Sequence, residues 1–269
     1  MALRKYLGNA IIGATAVVVA GARLVPGNDT TGPVMRAAVS FVSPKSARAV
    51  VAEGPTGALS TKITAALNAF ANTVRPLSHP RALENAFRSY FAYKAAHPKE
   101  VRKPYLYFVD YGLPSTTPRG YVFDMDARKI VDGPFMVAHG RGSSTSLYGV
   151  PTRFSNSPGA ATSSLGLYVA QETYSFSGHA AGSTYGSIGL RLSGVSGKYN
   201  NNARLRGVVA HGAPYVTASK AGRSEGCPAM EPSRAQRLLP KLADGGMVFL
   251  FAPDEHWLSR DPWLASSSE

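Results

Sequence analysis

The sequence predicts an α+β fold that is rich in β-strand, with a helical segment in front of the strands. Two observations support this prediction. Between residues 59 and 97 apolar side chains recur at three- and four-residue steps, as on one face of a helix. After Pro104 short apolar runs alternate with Asp/Gly turns, which is typical of strands joined by tight turns. The length suits one domain with additional segments.

The first 22 residues have the pattern of a signal peptide. Arg4 and Lys5 precede an apolar run over residues 7–20, and small residues at 20–22 suit a signal peptidase. Because the run is shorter than the roughly 20 residues of a spanning helix, we favour cleavage after Ala22 over an uncleaved membrane anchor. No cysteine is present for a lipoprotein linkage. We therefore expect a soluble mature chain in the periplasm or cell envelope.

Two segments separate this leader from the strands. Residues 23–55 are rich in Gly, Pro, Ser, Ala and Val without a clear period, which predicts a linker or a poorly ordered arm. Residues 56–100 form the helical segment, where prolines at 76 and 80 separate two apolar stripes that are typical of core packing. The stripes contain Ile63, Leu67, Phe70 and Val74, then Leu83, Phe87, Tyr90 and Phe91.

Residues 101–255 form the predicted main domain, and residues 256–269 a C-terminal tail. Strands are expected over 105–112, 120–127 and 129–140, joined as an antiparallel meander. A span rich in glycine and serine follows at 139–164. Further strands are expected over 165–174, 187–194, 205–213 and 247–253. A short helix over 231–242 has Pro232 in its first turn.

The net charge of the chain indicates the kind of macromolecule that it binds. The chain carries 29 Lys and Arg against 16 Asp and Glu, a formal charge of +13, and removal of Arg4 and Lys5 with the leader leaves +11. Such a surface attracts polyanions through its long-range field. For an exported protein an anionic cell wall or membrane surface fits better than nucleic acid. The sequence offers no metal-binding cluster.

The only cysteine, Cys227, lies in the stretch GRSEGCPAM. A lone exported cysteine is a buried apolar side chain, an intermolecular bridge or a reactive thiol. A reactive thiol needs a base, and His211 ends a predicted buried strand 16 positions earlier. Gly226 and its small neighbours allow backbone N–H groups to face a carbonyl oxygen, and Arg223 is positioned to lower the pKa of the thiol.

These motifs resemble those of a known family. His211-Gly212 followed by SEGC at 224–227 resembles the HG and SHGC signature of YkuD-type L,D-transpeptidases. GVPTRFS at 149–155 loosely resembles a further family element. Together with HGRGS, ETY and LRLSG, the order of motifs over roughly 100–255 is most similar to the murein L,D-transpeptidase catalytic domain. The resemblance implies a YkuD-like mixed β-sandwich or barrel.

The resemblance also implies roles for individual residues. Cys227 would be the nucleophile and form a thioester with an L-centre of a peptidoglycan stem peptide. His211 would be the base, with its ring held by the backbone carbonyl of Gly212. Backbone N–H groups of Glu225, Gly226 and Cys227 would form the oxyanion hole. A diaminopimelate amine would resolve the acyl-enzyme into a 3–3 or 1–3 cross-link without metal or cofactor, and a carbapenem is the expected covalent inhibitor.

Four residues are candidates for substrate binding: Arg223, Ser224, His139 and Tyr215. Arg223 lies nearest to the thiol in sequence, and His139 either lines the cleft or holds a loop. Glu225 departs from the family pattern, which has His at this position, and this leaves the donor peptide open.

Three alternatives compete with a transpeptidase. An L,D-carboxypeptidase would release the same thioester to water, and the sequence does not separate the two. A wall-binding protein without catalysis would need only the basic surface, but here both His211 and Cys227 are present. A papain-like protease would have its cysteine before its histidine, the reverse of the order found here.

Overall fold

The computed structural model describes residues 55–265 of the chain. The predicted signal peptide and nearly all of the predicted arm lie outside these residues. Two helices come first, α1 (Pro55–Phe70) and α2 (Ala82–Ala96). The first begins one residue before the segment predicted to be helical, and the second lies within it. No helix in this part of the chain is long and apolar enough to cross a bilayer.

Ten strands and two further helices follow. They are β1 (Tyr105–Asp110), β2 (Gly120–Asp124), β3 (Lys129–Phe135), β4 (His139–Gly140), β5 (Gly166–Ala180), β6 (Ser183–Gly194), β7 (Val209–Gly212), β8 (Arg223–Ser224), β9 (Ala229–Met230), α3 (Pro232–Leu242), β10 (Met247–Phe251) and α4 (Glu255–Leu258). A single 3₁₀ turn, Gly197–Tyr199, lies between β6 and β7.

Eight of these strands form one mixed sheet in the order β3-β2-β1-β10-β5-β6-β7-β9. The pairs β1–β10 and β7–β9 are parallel, and the other neighbours are antiparallel. The predicted meander is confirmed for β1, β2 and β3. The predicted strand 129–140 is divided, because β4 leaves the large sheet and pairs in parallel with β8.

The core lies around the centre of the sheet. Every residue of β10 is buried, as expected for a strand covered on both faces. Phe70 of α1, Phe87 of α2 and Phe123 of β2 pack in contact, with ring centroids 4.7–5.6 Å apart. The apolar stripes of the helical segment therefore serve core packing, as predicted.

The segment after residue 255 also joins this core. Trp257 is buried, and its indole N–H donates to the buried carboxyl group of Asp261 at 2.9 Å. Trp263 packs edge-on against Tyr93 of α2, with centroids 4.8 Å apart. The part of the predicted tail that the structure describes is thus a packed continuation of the domain.

The hairpin of β5 and β6 is longer than predicted. The two strands pair from Tyr168–Gly194 out to Ala180–Ser183. Their outer halves carry a row of aromatic side chains, and β7 pairs with β6 beside them. This hairpin therefore forms one wall next to β7, the strand that carries His211.

Candidate active site

His211 lies on β7 and is buried. Its Nδ1 lies 3.0 Å from the carbonyl oxygen of Gly212. Because a carbonyl oxygen only accepts, Nδ1 carries the proton, and Nε2 of the neutral ring is free to accept one. Burial lowers the pKa of His211, although the Gly212 carbonyl opposes this in part. The structure thus places an imidazole in the tautomer of a general base.

The ring is also held from the side. Phe176 of β5 stacks on it with centroids 4.3 Å apart and 26° between the planes. Aromatic contacts of this kind contribute about 0.5–1.5 kcal/mol beyond the area they bury. Phe176 therefore restricts the orientation of the imidazole, a role that the sequence analysis missed.

The parallel register of β7 and β9 brings the thiol to the same edge of the sheet. His211 pairs with Ala229, so Cys227, two residues earlier, lies beside Val209. The Val209 N–H donates to Sγ at 3.5 Å, and the carbonyl oxygen of Gly207 lies 3.9 Å from Sγ. The sulfur therefore lies at the start of the strand that carries the imidazole. Among the described residues the hydrogen bonds of the sulfur go to this backbone.

The surroundings of the thiol and of the imidazole both favour the neutral form. Burial raises the pKa of the Cys227 thiol, the Val209 N–H and Arg206 lower it in part, and Glu225 raises it further. Since burial lowers the pKa of His211, a preformed thiolate–imidazolium pair is disfavoured on both sides. The site therefore suits proton transfer to His211 during attack, not a thiolate formed in advance.

The turn before the thiol is fixed by Ser224 and by a glycine with a positive φ. Ser224 Oγ donates to the carbonyl oxygen of Cys227 at 2.7 Å and accepts from the Gly226 N–H at 3.1 Å. Gly226 has φ +128°, and a Cβ there would lie 2.6 Å from the carbonyl oxygen of Thr162. In the part of the chain that the structure describes, the N–H groups of Glu225 and Cys227 donate to no other group. Two of the three predicted oxyanion donors are thus free, while that of Gly226 is already bonded.

Two predicted substrate-binding residues have internal roles instead. Ser224 is buried, and its hydroxyl group is occupied within the turn. His139 is fully buried, and its Nδ1 accepts from Arg119 Nη2 at 2.9 Å. Burial, Arg119 and Arg223 lower the pKa of His139 to about 3, so its ring is neutral. Both side chains are thus engaged in internal hydrogen bonds, and their assignment to substrate binding stays a prediction.

The other two candidates do face a cleft. Arg223 and Tyr215 line a groove of about 700 Å³ together with Leu147, Tyr148 and the tip of the β5–β6 hairpin. Arg223 Nη1 lies 3.4 Å from the carbonyl oxygen of Ser144, a weak bond that leaves the guanidinium group partly exposed. The expected effect of Arg223 on the thiol is not found, since Arg206 is the cation that lowers the pKa of Cys227.

Glu225 points away from the turn. Its carboxylate accepts from Arg141 Nε at 2.7 Å, and both side chains are mainly exposed. An exposed pair of this kind contributes at most about 1 kcal/mol to stability. The residue that departs from the family pattern therefore provides a backbone N–H to the turn and an exposed charge at its rim.

Taken together, these residues form a thiol, a neutral imidazole with a free Nε2 and two unbonded N–H groups on a β-rich α+β fold. Such a set can accept an acyl group on sulfur and stabilise the oxyanion that forms on the way. The described residues contain no group of three His, Cys, Asp or Glu side chains able to hold a metal ion.

The chain belongs to the L,D-transpeptidase catalytic domain family, whose model matches residues 76–251. The match begins before α2, whereas the motifs in the sequence start near residue 100. A search of curated proteins finds no match.

Several solved structures are similar in part. An L,D-transpeptidase from Mycobacterium smegmatis is 14% identical over 55% of this chain and 59% of its own, with a TM-score of 0.33. One from Stackebrandtia nassauensis is 14% identical over 70% of this chain and 75% of its own, with a TM-score of 0.35. A third structure, solved as an avibactam carbamoyl enzyme, is 13% identical over 72% of this chain and 100% of its own, with a TM-score of 0.24. The chain spans about six tenths of the Mycobacterium protein, and the family assignment depends on the family model.

Proposed function

We propose that this protein is a peptidoglycan L,D-transpeptidase that works through a thioester on Cys227. The observation that carries the proposal is the parallel register of β7 and β9, which brings Cys227 and His211 to one edge of the sheet in a chain of this family. The polarity of the site supports it, because Nε2 of His211 is the ring nitrogen free to take a proton.

The first half-reaction transfers the acyl group to sulfur. As Sγ attacks the carbonyl carbon of an L-centre in the donor stem, His211 Nε2 takes the thiol proton. The N–H groups of Glu225 and Cys227 bind the oxyanion of the tetrahedral intermediate. His211 then gives the proton to the leaving amine, the carbon–nitrogen bond breaks, and the thioester remains on Cys227.

The second half-reaction returns the enzyme to its starting state. A diaminopimelate amine of a neighbouring stem attacks the thioester carbon while His211 accepts a proton from the nitrogen. The thiolate leaves and is protonated by the imidazolium ion, so a new amide bond replaces the old one without an external energy source. The Gly212 carbonyl stabilises the imidazolium ion in both halves because it accepts from Nδ1–H.

The groove beside the site suits a stem peptide. It is lined by apolar and aromatic groups, with Arg223 and Lys220 as cations that attract stem carboxylates. If the protein acts on the wall, it must be exported. We therefore also propose that residues 1–22 are removed, so that the N-terminal peptide recovered from the wall fraction of cells begins at Arg23.

Incubation of the full chain with purified disaccharide-tetrapeptides tests the proposal. We expect cross-linked dimers in the mass spectrum, with a 3–3 or a 1–3 bond read from their fragments, and none from the Cys227→Ala variant. Shortened monomers without dimers would show an L,D-carboxypeptidase instead. If the wild-type protein and the variant both leave the muropeptides unchanged but bind the wall, the account of a catalytic thiol is wrong.

A further inference from the structure

Arg206 is a half-buried arginine next to the site. It lies in the turn before β7, where its own N–H donates to the carbonyl oxygen of Asn202 at 2.8 Å. The two ends of its guanidinium fork donate to different carbonyl oxygens, Nη1 to Ser155 at 2.8 Å and Nη2 to Thr162 at 2.7 Å. The side chain thus connects the turn before β7 to the loop 155–162, which lies 44–51 residues earlier in the chain.

The charge of Arg206 has no carboxylate partner among the described ion pairs. Its neighbour Arg204 is different, since it is exposed and pairs with Glu172 at 3.1 Å. Burial lowers the pKa of Arg206, which shows that the site disfavours its charge. Carbonyl oxygens satisfy the N–H groups but do not neutralise the cation. A full negative charge close by would compensate for this cost.

Two titratable groups interact with Arg206, the Tyr168 hydroxyl group and the thiol of the nucleophile. Arg206 Nη2 lies 3.5 Å from the point where a Cβ on Gly226 would stand, and Gly226 directly precedes Cys227. The carbonyl oxygen of Thr162 that Nη2 binds lies 2.6 Å from the same point. The guanidinium group therefore packs against residues 224–227, the turn that carries the proposed oxyanion donors and that we call the oxyanion turn. The positive charge of Arg206 lowers the pKa of Cys227, and negative charge on the sulfur in turn raises the pKa of Arg206.

We propose that Arg206 is a positioning residue that stabilises negative charge on the Cys227 sulfur and fixes the loop 155–162 against the oxyanion turn. When His211 Nε2 takes the thiol proton, the charge that develops on sulfur faces the uncompensated guanidinium group. The two fork bonds hold that group in place, so no reorganisation is needed during attack. The inference rests on the proposed function in taking Cys227 as the nucleophile.

Alkylation of the full chain with iodoacetamide, followed by intact mass over a range of pH, measures the thiolate directly. We expect Arg206→Gln to raise the pH midpoint of alkylation by about 0.5–1, which lowers the rate at pH 8 about three- to tenfold. Arg206→Lys keeps the charge and should leave the midpoint within about 0.3 of wild type. Arg204→Gln, which removes an exposed charge two residues away, is the matched control and should behave as wild type.

A folded Arg206→Gln variant with the wild-type midpoint would overturn the inference, as would an equal shift in Arg204→Gln. If the glutamine variant does not fold, the lysine variant decides, since a rise of about 1 in its midpoint contradicts a role for the charge. Because alkylation needs no peptidoglycan, the role of Arg206 and the proposed transpeptidase function can be refuted independently of each other. Cross-linking without a midpoint shift refutes only the role of Arg206, and a shift without any cross-linking refutes only the proposed function.

Discussion

Replacement of Gly226 by alanine is the sharpest test of the oxyanion turn. Gly226 has φ +128°, a conformation that side chains with a Cβ rarely adopt, and this costs about 1–3 kcal/mol. The added Cβ would also lie 2.6 Å from the carbonyl oxygen of Thr162, well inside contact distance. Thr162 is held by Arg206 and cannot yield freely, so overpacking adds about 1–3 kcal/mol.

The variant relieves this strain by moving the turn, since the combined cost of about 2–6 kcal/mol is a large fraction of a typical stability. A moved turn carries the N–H groups of Glu225 and Cys227 away from the oxyanion. Loss of one such donor lowers the rate about 100- to 1000-fold. We therefore expect carbapenem acylation, followed by intact mass, to slow by at least 100-fold. The midpoint of thermal unfolding should fall by about 4–24 °C.

Gly197→Ala provides the matched control. Gly197 also has a positive φ, +56°, but no atom lies within 4 Å of its Cβ position. It should lose only about 1–2 kcal/mol of stability and keep its rate of acylation. If Gly226→Ala acylates at the wild-type rate, or loses no more stability than Gly197→Ala, the argument from the turn geometry is refuted.

Three further predictions follow from the packing around the site. Phe176→Leu removes the ring stacked on His211, so the unfolding midpoint should fall by about 1–6 °C and carbapenem acylation should slow about two- to tenfold. An unchanged acylation rate would contradict the positioning role. Arg119→Met removes the donor that binds the carbonyl oxygen of Val137 and Nδ1 of His139. The free energy of unfolding measured in urea should therefore fall by about 3–5 kcal/mol. A fall below about 1 kcal/mol would contradict a structural role for Arg119. Because burial lowers the pKa of His211, the imidazole stays neutral to below the ordinary histidine pKa of 6.5. The acylation rate should therefore stay level down to about pH 6.5 and fall only below that pH. A fall in the rate that begins at pH 7.5 would refute this prediction.

The sequence predicted the elements that have a strong local signal. The strands β1, β2 and β10 are continuous apolar runs between turn residues, and α3 begins with Pro232, as a short helix often does. The sequence also singled out Cys227 and His211 as a pair, because a lone cysteine and a histidine at the end of a predicted buried strand lie only 16 positions apart, and the register of β7 and β9 brings both to one edge of the sheet.

The outer half of the β5–β6 hairpin was not predictable in the same way. Its sequence, SFSGHAAGS at 175–183, is rich in small and polar residues and has the composition of a loop. Cross-strand neighbours and aromatic contacts determine strand formation there, and these appear only when the chain is folded. The contact of Phe176 with His211 was missed for this reason.

The roles of three basic residues needed the structure. Arg119 and Arg206 have no sequence signal that separates them from surface residues, and the HGRGS motif singled out His139 without indicating that its ring is buried against Arg119. Arg119 and Arg206 bind carbonyl oxygens that are up to 51 positions away along the chain. Arg223, which sequence proximity favoured as the partner of the thiol, lies in the wall of the groove instead.

The most direct test of the central claim is the mass of the acyl-enzyme. Rapid acid quenching of the full chain with a disaccharide-tetrapeptide, followed by tandem mass spectrometry, locates the acyl group and identifies its L-centre. We expect one adduct on the peptide that contains Cys227, absent from Cys227→Ser and formed far more slowly by His211→Asn. An adduct on another residue, or one that persists in Cys227→Ser, would contradict the account.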